Sequence, residues 1–488
     1  MRRSNPTQMD RYRNIFLFIL ISVIGFSCKE AQEPDCKINI LWNNEKQTID
    51  GFGVAQAGWS DKLYAHFKRE EVLQKMFGNE GLRLSILRGE VFPHYWENPQ
   101  DKDFDLDADI DLPLTDSFFT GESDDLKRRG QLWIARYVKE KCKTDKLFFS
   151  VWSAPAYMKS NGKVSQGELN PAYNQAYADY LAAFYQAYKS VGLEPYAISP
   201  SNEPGYAAPW NSSLWTPEKM GEFIMEYLGP TFRKEEIPAR IVFGENPFWS
   251  AVSQQAAFVS SRHFTDAIIS QYPGITQYPV IAAGHGYTLP DSYPAPKDSL
   301  STPIEPFGEA EKTDIPVWLT EISNTEALDT TIRDGIEWAI TFHKYLSIAN
   351  ASACIWWAGA LPAGNNEGLI VLDPDRQNYL TTKRFYTFGN FSRYIPVGSK
   401  RIGTEISSAA TDSLFFSAYK NGKDFTVVAI NPTATGKRAS LQIDGQVLSG
   451  KLNCFLTDEK NNWSSSETKG NQIEIPANSV VTVTGTIK

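Results

Sequence analysis

From about residue 50 to residue 360 the chain alternates apolar runs of four to seven residues with longer amphipathic stretches, and this alternation restricts the fold more than any other feature. Short runs that are apolar throughout suit strands buried on both faces, and parallel strands of that kind need a crossover helix between neighbours. Eight such runs are expected as strands: Gly51–Val54, Leu82–Arg88, Leu147–Trp152, Tyr196–Ser199, Arg240–Gly244, Val280–Ala283, Val317–Thr320 and Ala353–Trp357. Between them, Asn174–Ser190 carries Tyr177, Tyr180, Leu181, Phe184 and Tyr188 at helical spacing, and Ile332–Ala349 carries Ile336, Ala339, Ile340 and Tyr345. Such stripes read as packing surfaces rather than ligand faces. Eight strand–helix units predict an α/β chain folded as a (β/α)8 TIM barrel, which takes about 250 residues plus insertions.

The period changes near residue 395. Ser413–Tyr419, Asp424–Asn431, Ser440–Ile443, Lys451–Leu456, Gln472–Ile475 and Ser479–Ile487 are short alternating runs, separated by turn signals such as Asn421-Gly422 and Asp444-Gly445. They predict antiparallel strands. A sandwich needs a second sheet, and the N-terminal run Lys37–Trp42 is the expected donor. The expected organisation is therefore a barrel over 47–395 and a β-sandwich from 37–46 plus 396–488. The acidic, Pro- and Gly-punctuated insertion Glu97–Asp125 is expected as a loop over one barrel face.

Ahead of these domains, Arg2, Arg3, Arg11 and Arg13 precede the apolar run Ile15–Phe26. Twelve apolar residues are too few for a bilayer span of about 20 and fit the core of a secretory signal. Cys28 after Gly25-Phe26-Ser27 resembles a bacterial lipobox. The expectation is a leader over 1–27, acylation of Cys28, and a lipoprotein facing the periplasm or cell surface, its only membrane contact being that anchor. Plain secretion is the alternative. The other cysteines, Cys36, Cys142, Cys354 and Cys454, form no C-x-x-C pair and are expected to be mostly free and buried.

Charge narrows the partners. Asp and Glu number 57 against 48 Lys and Arg, for a net charge of −9, and removal of residues 1–27 takes away four Arg and one Asp. That balance offers no basic face to a phosphate backbone and excludes nucleic acid as an expected partner. The 13 Trp and 22 Tyr exceed ordinary core needs, and some are expected along a groove.

In a barrel of this kind reacting groups sit at the carboxyl ends of strands. The fourth expected strand ends in Ser199-Pro200-Ser201-Asn202-Glu203-Pro204 and the seventh in Trp318-Leu319-Thr320-Glu321. Two glutamates at such positions are the requirement for glycoside hydrolysis, one protonating the leaving oxygen and the other attacking the anomeric carbon or activating water. The Asn202 side chain suits a sugar 2-hydroxyl. Arg88, ending the second strand, is placed to keep the Glu321 carboxylate charged, with a surface or structural ion pair as the alternative. Trp152, Trp210, Trp215, His285, Tyr287, Trp356 and Trp357 fall at the same rim, where aromatic rings stack on sugar C–H faces.

Other motifs fail. Gly51-Phe52-Gly53-Val54-Ala55-Gln56 places Gln56 where a dinucleotide fingerprint needs its third glycine. Ser160-Asn161-Gly162-Lys163 fits Ser-x-x-Lys without the companion motifs. His66, His94, His263, His285 and His343 form no His-Glu-x-x-His arrangement, so neither a catalytic metal nor another cofactor is expected.

Over roughly residues 47–488 the chain resembles glycoside hydrolase family 30, through Ile49-Asp50-Gly51-Phe52-Gly53, Trp152-Ser153-Ala154-Pro155-Ala156-Tyr157-Met158-Lys159-Ser160-Asn161-Gly162, Ser201-Asn202-Glu203-Pro204 and Leu214-Trp215-Thr216-Pro217-Glu218. The resemblance implies a barrel with attached sandwich and a retaining reaction with Glu203 as acid/base and Glu321 as nucleophile. Tyr177-Ala178-Asp179-Tyr180-Leu181 and Tyr196-Ala197-Ile198-Ser199 look like the xylanase branch. Ala358-Gly359-Ala360-Leu361-Pro362 stands where glucuronoxylan-specific members carry arginines, and Tyr227-Leu228-Gly229-Pro230-Thr231 is similar to the branch acting on β-glucosides. The expected partner is thus a polysaccharide or oligosaccharide, most in keeping with xylan cleaved by an endo-β-1,4-xylanase working as a monomer. A β-1,6-glucanase or glucosylceramidase-like β-glucosidase is the alternative. From another class, the alternative is a non-catalytic surface glycan-binding lipoprotein.

Overall fold

The eight apolar runs do close into a barrel. The computed structural model describes residues 33–93, 130–250, 260–287, 304–362, 364–407, 414–448 and 450–487, so the leader, Cys28 and the Glu97–Asp125 insertion lie outside the described residues. Strand β1 (Cys36–Thr48) precedes the barrel strands β2 (Gly51–Ala55), β3 (Ile86–Glu90), β4 (Lys146–Ser150), β5 (Ala197–Ser199), β6 (Arg240–Phe248), β7 (Val280–Tyr287), β8 (Val317–Glu321) and β9 (Ala353–Trp357). All neighbours are parallel, and β2 pairs with β9 from Gly51↔Ala353 to Ala55↔Trp357 to complete the ring. The interior is filled by Ile86, Phe148, Ala197, Val242, Ile281, Trp318 and Ile355, so the barrel is a packed core.

Strand β3 starts later than the expected Leu82–Arg88. Residues 82–85 are not strand, and Arg83 takes a left-handed φ of 56°, which breaks the extended run before Ile86. Helices Asn174–Ser190 and Ile332–Ser347 bury the expected stripes against the strands. Tyr177, Tyr180, Phe184 and Tyr188 all pack, which accounts for part of the aromatic surplus without any ligand.

A small sheet of β10 (Ala360–Leu361), β11 (Ile370–Leu372) and β12 (Tyr379–Thr381) follows, and then β13 (Lys400–Ser407), β14 (Phe415–Asn421), β15 (Asp424–Asn431), β16 (Lys437–Ile443), β17 (Gln446–Val447), β18 (Lys451–Thr457), β19 (Ser464–Lys469), β20 (Gln472–Ile475) and β21 (Ser479–Thr486). These form one curled sheet with β1, in the order β17-β16-β1-β13-β14-β15-β21-β18-β19, with β20 on β16. The N-terminal strand is antiparallel to β13 and parallel to β16, so the sheet is antiparallel except at that one seam. Ile38, Ile40, Phe416, Val427, Leu441, Ile475 and Val483 meet between its faces. The four cysteines in the described residues are unpaired; Cys36 and Cys354 are buried, Cys142 and Cys454 only partly.

Candidate active site

At the carboxyl ends of the strands lies a cleft of about 1070 Å³. Glu203 enters it from the turn after β5. Its amide donates to the Glu245 carbonyl at 3.0 Å, its φ is +47°, and the Trp215 amide donates to the Pro204 carbonyl at 2.8 Å. The turn is therefore held from β6 and from behind, which fixes a conformation that non-glycine residues seldom adopt. Glu321 is the last residue of β8, so strand pairing alone aims it.

One oxygen of Glu203, one of Glu321 and a ring nitrogen of His285 lie within 4.8 Å of one another. Arg88, fully buried, joins the rest: Nη1 donates to Glu321 Oε2 at 2.5 Å, and Nη2 to Asn202 Oδ1 at 2.7 Å and to Glu245 Oε1 at 3.1 Å. Its guanidinium sits 4.8 Å from the Trp152 ring centroid. Burial works against that charge, but Glu245 and Glu321 outweigh it and the Arg88 pKa is raised. The same guanidinium thus touches the candidate nucleophile and sits in a buried ion pair with Glu245.

Two carboxylates are pushed apart. Burial raises the Glu203 pKa, with Glu321 adding to it against the opposing His285 and Arg88, the direction a proton donor needs. Glu245 is just as buried, yet Arg88 and His285 bring it down to about 2. Ser150 Oγ donates to its Oε2 at 2.7 Å. His285 is also buried, which disfavours its charge, but Glu321, Glu203 and Glu245 together lift it to about 9. Its Nδ1 lies 3.2 Å from Glu203 Oε1, and its Nε2 3.8 Å from oxygens of both Glu245 and Glu321. At neutral pH both ring nitrogens then carry protons and face carboxylate oxygens. Tyr287 donates its hydroxyl to Glu321 Oε1 at 2.9 Å; burial, reinforced by Glu321, holds that phenol protonated.

Of the residues expected at the rim, Trp152, Asn202, Trp210, Tyr287 and Trp357 line the cleft with both glutamates, and Trp210 is 53 % exposed. His285 stands behind Glu203 instead. Two further expectations are corrected. Trp215 is buried against Tyr177 of helix Asn174–Ser190 and Phe223 at the end of helix Pro217–Phe223, with ring centroids at 6.2 and 5.3 Å. Trp356 packs on Trp338 at 4.4 Å on the helix side of the barrel. Consecutive strand residues point to opposite faces, so Trp356 and Trp357 cannot both reach the cleft.

Three carboxylates escaped the sequence reading. Glu245 immediately follows the expected strand Arg240–Gly244, and Glu90 follows Arg88 by two residues; applying the strand-end rule to every strand would have found both. Glu367 also lines the cleft, but it arrives from the loop between β10 and β11, for which the sequence carries no signal.

A parallel barrel whose mouth holds two glutamates this close, one with a raised pKa, has the arrangement glycoside hydrolysis requires. One oxygen of each lies within 4.8 Å of the other, in keeping with the roughly 5–5.5 Å between the carboxyl groups of retaining enzymes rather than the roughly 6.5–9.5 Å that leaves room for an attacking water. Residues 111–371 match O-glycosyl hydrolase family 30. The chain belongs to that family and is a retaining O-glycosyl hydrolase. It is 24% identical over 349 residues to glucuronoxylanase XynC of Bacillus subtilis (strain 168), covering 69% of this chain and 73% of that protein. It is also 24% identical over 431 residues to putative glucosylceramidase 3 of Caenorhabditis elegans, covering 82% and 77%. Among solved structures, the catalytic domain of GH30 xylanase C from Talaromyces cellulolyticus superposes with a TM-score of 0.74 at 24% identity, over 92% of this chain and 100% of that one.

Proposed function

We propose that the protein hydrolyses a neutral β-linked polysaccharide of the xylan type, as an endo-β-1,4-xylanase, with Glu203 as acid/base and Glu321 as nucleophile. The observation that carries the assignment of roles is the pairing of two buried glutamates within 4.8 Å, of which Glu203 has the raised pKa. A Glu321 oxygen attacks the anomeric carbon while the Glu203 proton passes to the glycosidic oxygen, and the bond between them breaks. Glu203, now a carboxylate, takes a proton from water, whose oxygen attacks the same carbon and releases Glu321. Arg88 and Tyr287 each donate to one Glu321 oxygen, which orients the carboxylate for attack. Asn202, fixed by Arg88, presents its amide to the sugar 2-hydroxyl.

Against an acidic polymer stands the lining of the cleft: among the described residues it contains Glu90, Glu203, Glu321 and Glu367 and no Lys or Arg. Similarity to the xylanases supports xylan. The greater share of the chain matched by a glucosylceramidase relative supports a second reading, a β-glucoside or β-glucan substrate. The N-terminal apolar run and Cys28 support an exported, lipid-anchored protein. The test is sugar release from neutral xylan, glucuronoxylan, β-1,6-glucan and aryl β-glucosides, with products sized. Oligosaccharides from neutral xylan, lost in Glu321→Ala, are expected. Normal hydrolysis by Glu321→Ala would overturn the nucleophile, and release from β-1,6-glucan alone would overturn the substrate. Binding without release from any of them would restore the non-catalytic alternative.

A further inference from the structure

Glu367 is built into the cleft wall from its backbone outward. Its carbonyl accepts the Ala358 amide at 3.0 Å and Trp356 Nε1 at 2.9 Å, and its own amide donates to Asn365 Oδ1 at 3.1 Å. The preceding Asn366 is fully buried, its Oδ1 accepting from Arg384 Nη1 at 2.6 Å and from the Asp329 amide at 2.7 Å. In the side chain, Oε1 accepts Trp357 Nε1 at 3.0 Å, while Oε2 has, among the described residues, only the Asn365 amide group at 3.5 Å. No ion pair to this carboxylate occurs among the described residues. A carboxylate fixed so firmly, with acceptor capacity left facing a cleft, calls for donors from outside the protein.

Position indicates which donors. Strand β9 neighbours β2 and β2 neighbours β3, so Glu367, Trp357 and Glu90 share one arc of the rim. Glu203 follows β5 and Phe248 ends β6, on the opposite arc. Glu203 protonates the departing oxygen, so the leaving part of the substrate lies toward β5 and β6, and the ring attacked by Glu321 lies toward Glu367. A sugar ring offers hydroxyl donors at its edge and C–H groups at its face, which match a carboxylate beside an indole.

We infer that Glu367, aimed by the Trp357 indole N–H, is a specificity-determining residue that accepts hydroxyls of the neutral sugar on the non-reducing side of the scissile bond and rejects a uronic acid there. This rests on the assignment of Glu203 and Glu321 above. The test titrates full-length Glu321→Gln with xylohexaose, β-1,6-linked glucohexaose and a β-1,4-linked glucuronate hexamer, and repeats this with Glu367→Gln and Glu367→Asp added. Glu367→Gln is expected to weaken the neutral ligand by about 10- to 100-fold while narrowing its advantage over the glucuronate. Glu367→Asp keeps the charge and should preserve most of the discrimination. An unchanged ratio of neutral to anionic affinity, or an equal loss for both, overturns the inference, as does failure of Glu321→Gln to bind either neutral probe. Hydrolysis surviving in Glu321→Ala would remove the nucleophile assignment while leaving the Glu367 binding result intact, so the two can fail separately.

Discussion

His285 sets the balance of charge around the carboxylate pair. Facing it are Glu203, Glu245 and Glu321, and its imidazolium partly offsets the burial that raises the Glu203 pKa. Replacing it by Gln keeps a donor but removes the positive charge, so the Glu203 pKa should rise further. The alkaline limb of kcat/KM reports the essential acid. In His285→Gln that limb is expected at higher pH than in the wild type; a limb unmoved or shifted to lower pH would contradict the assignment of Glu203 as acid. Stability follows the same groups with opposite signs. Glu245 has its pKa lowered from 4.5 to about 2, so its contribution is present above 4.5 and lost as pH falls toward 2. His285 is raised from 6.5 to about 9, so its contribution is present below 6.5 and lost as pH rises through 9. Thermal melts across pH should therefore show Tm falling on both flanks. Arg88→Met leaves Glu245 and Glu321 buried without their cation, a change that costs about 3–5 kcal/mol. Chemical denaturation of that variant should show it, and a loss below about 1 kcal/mol would mean that His285 alone can neutralise both.

At the scale of elements, irregular strand ends aim the site. Strand β6 runs past its expected end at Gly244 to Phe248, and its register against β7 shifts on either side of Asn246. That shift turns Glu245 inward at φ +44°, where its carbonyl holds Glu203 and its carboxylate meets Arg88. Gly244 makes the turn possible: its φ is +109°, and a Cβ there would lie 2.3 Å from the Ala283 carbonyl oxygen. Gly244→Ala is expected to destabilise by about 1–3 kcal/mol and to lower kcat more than it raises KM, because it displaces Glu245 rather than the cleft lining. Wild-type kcat with a lowered Tm would confine the effect to folding. These irregularities explain how far the residues could be read in advance. Strands Asp424–Asn431 and Gln472–Ile475 and helix Asn174–Ser190 appear where periodicity places them, since burial on a defined face imposes that period. Ser464–Lys469 was invisible because a wholly polar strand at the sheet edge has no buried face to mark it. Glu203 and Glu321 were legible because strand ends define the mouth. Glu367 was not, because its place depends on Arg384 and Trp356 closing a loop.

At the scale of the molecule, barrel and sheet are not two bodies joined by a linker. The segment 34–488 forms one compact unit, and Tyr419, Val428, Ile430 and Val480 of the sheet belong to the same apolar cluster as the barrel helices. Helix Lys383–Ser392, which carries Arg384 and thereby braces Asn366, lies at that seam. Its Asn390 exchanges hydrogen bonds with Thr482, donating at 3.0 Å and accepting at 2.7 Å, both residues being fully buried. Trp463 from the sheet donates to the Tyr386 carbonyl at 2.7 Å, under the Arg393 guanidinium at 4.2 Å. Exposing that seam would uncover apolar surface and orphan buried polar groups, which costs more than separating surfaces joined by exposed contacts. Calorimetry is therefore expected to give a single transition, with loss of activity and loss of secondary structure at the same temperature. Trp463→Ala should lower that one Tm without splitting it, because the helix it supports also anchors the loop bearing Glu367. Two resolved transitions, or a barrel fragment ending at residue 395 that keeps full activity, would show instead that the sheet is a separable appendage.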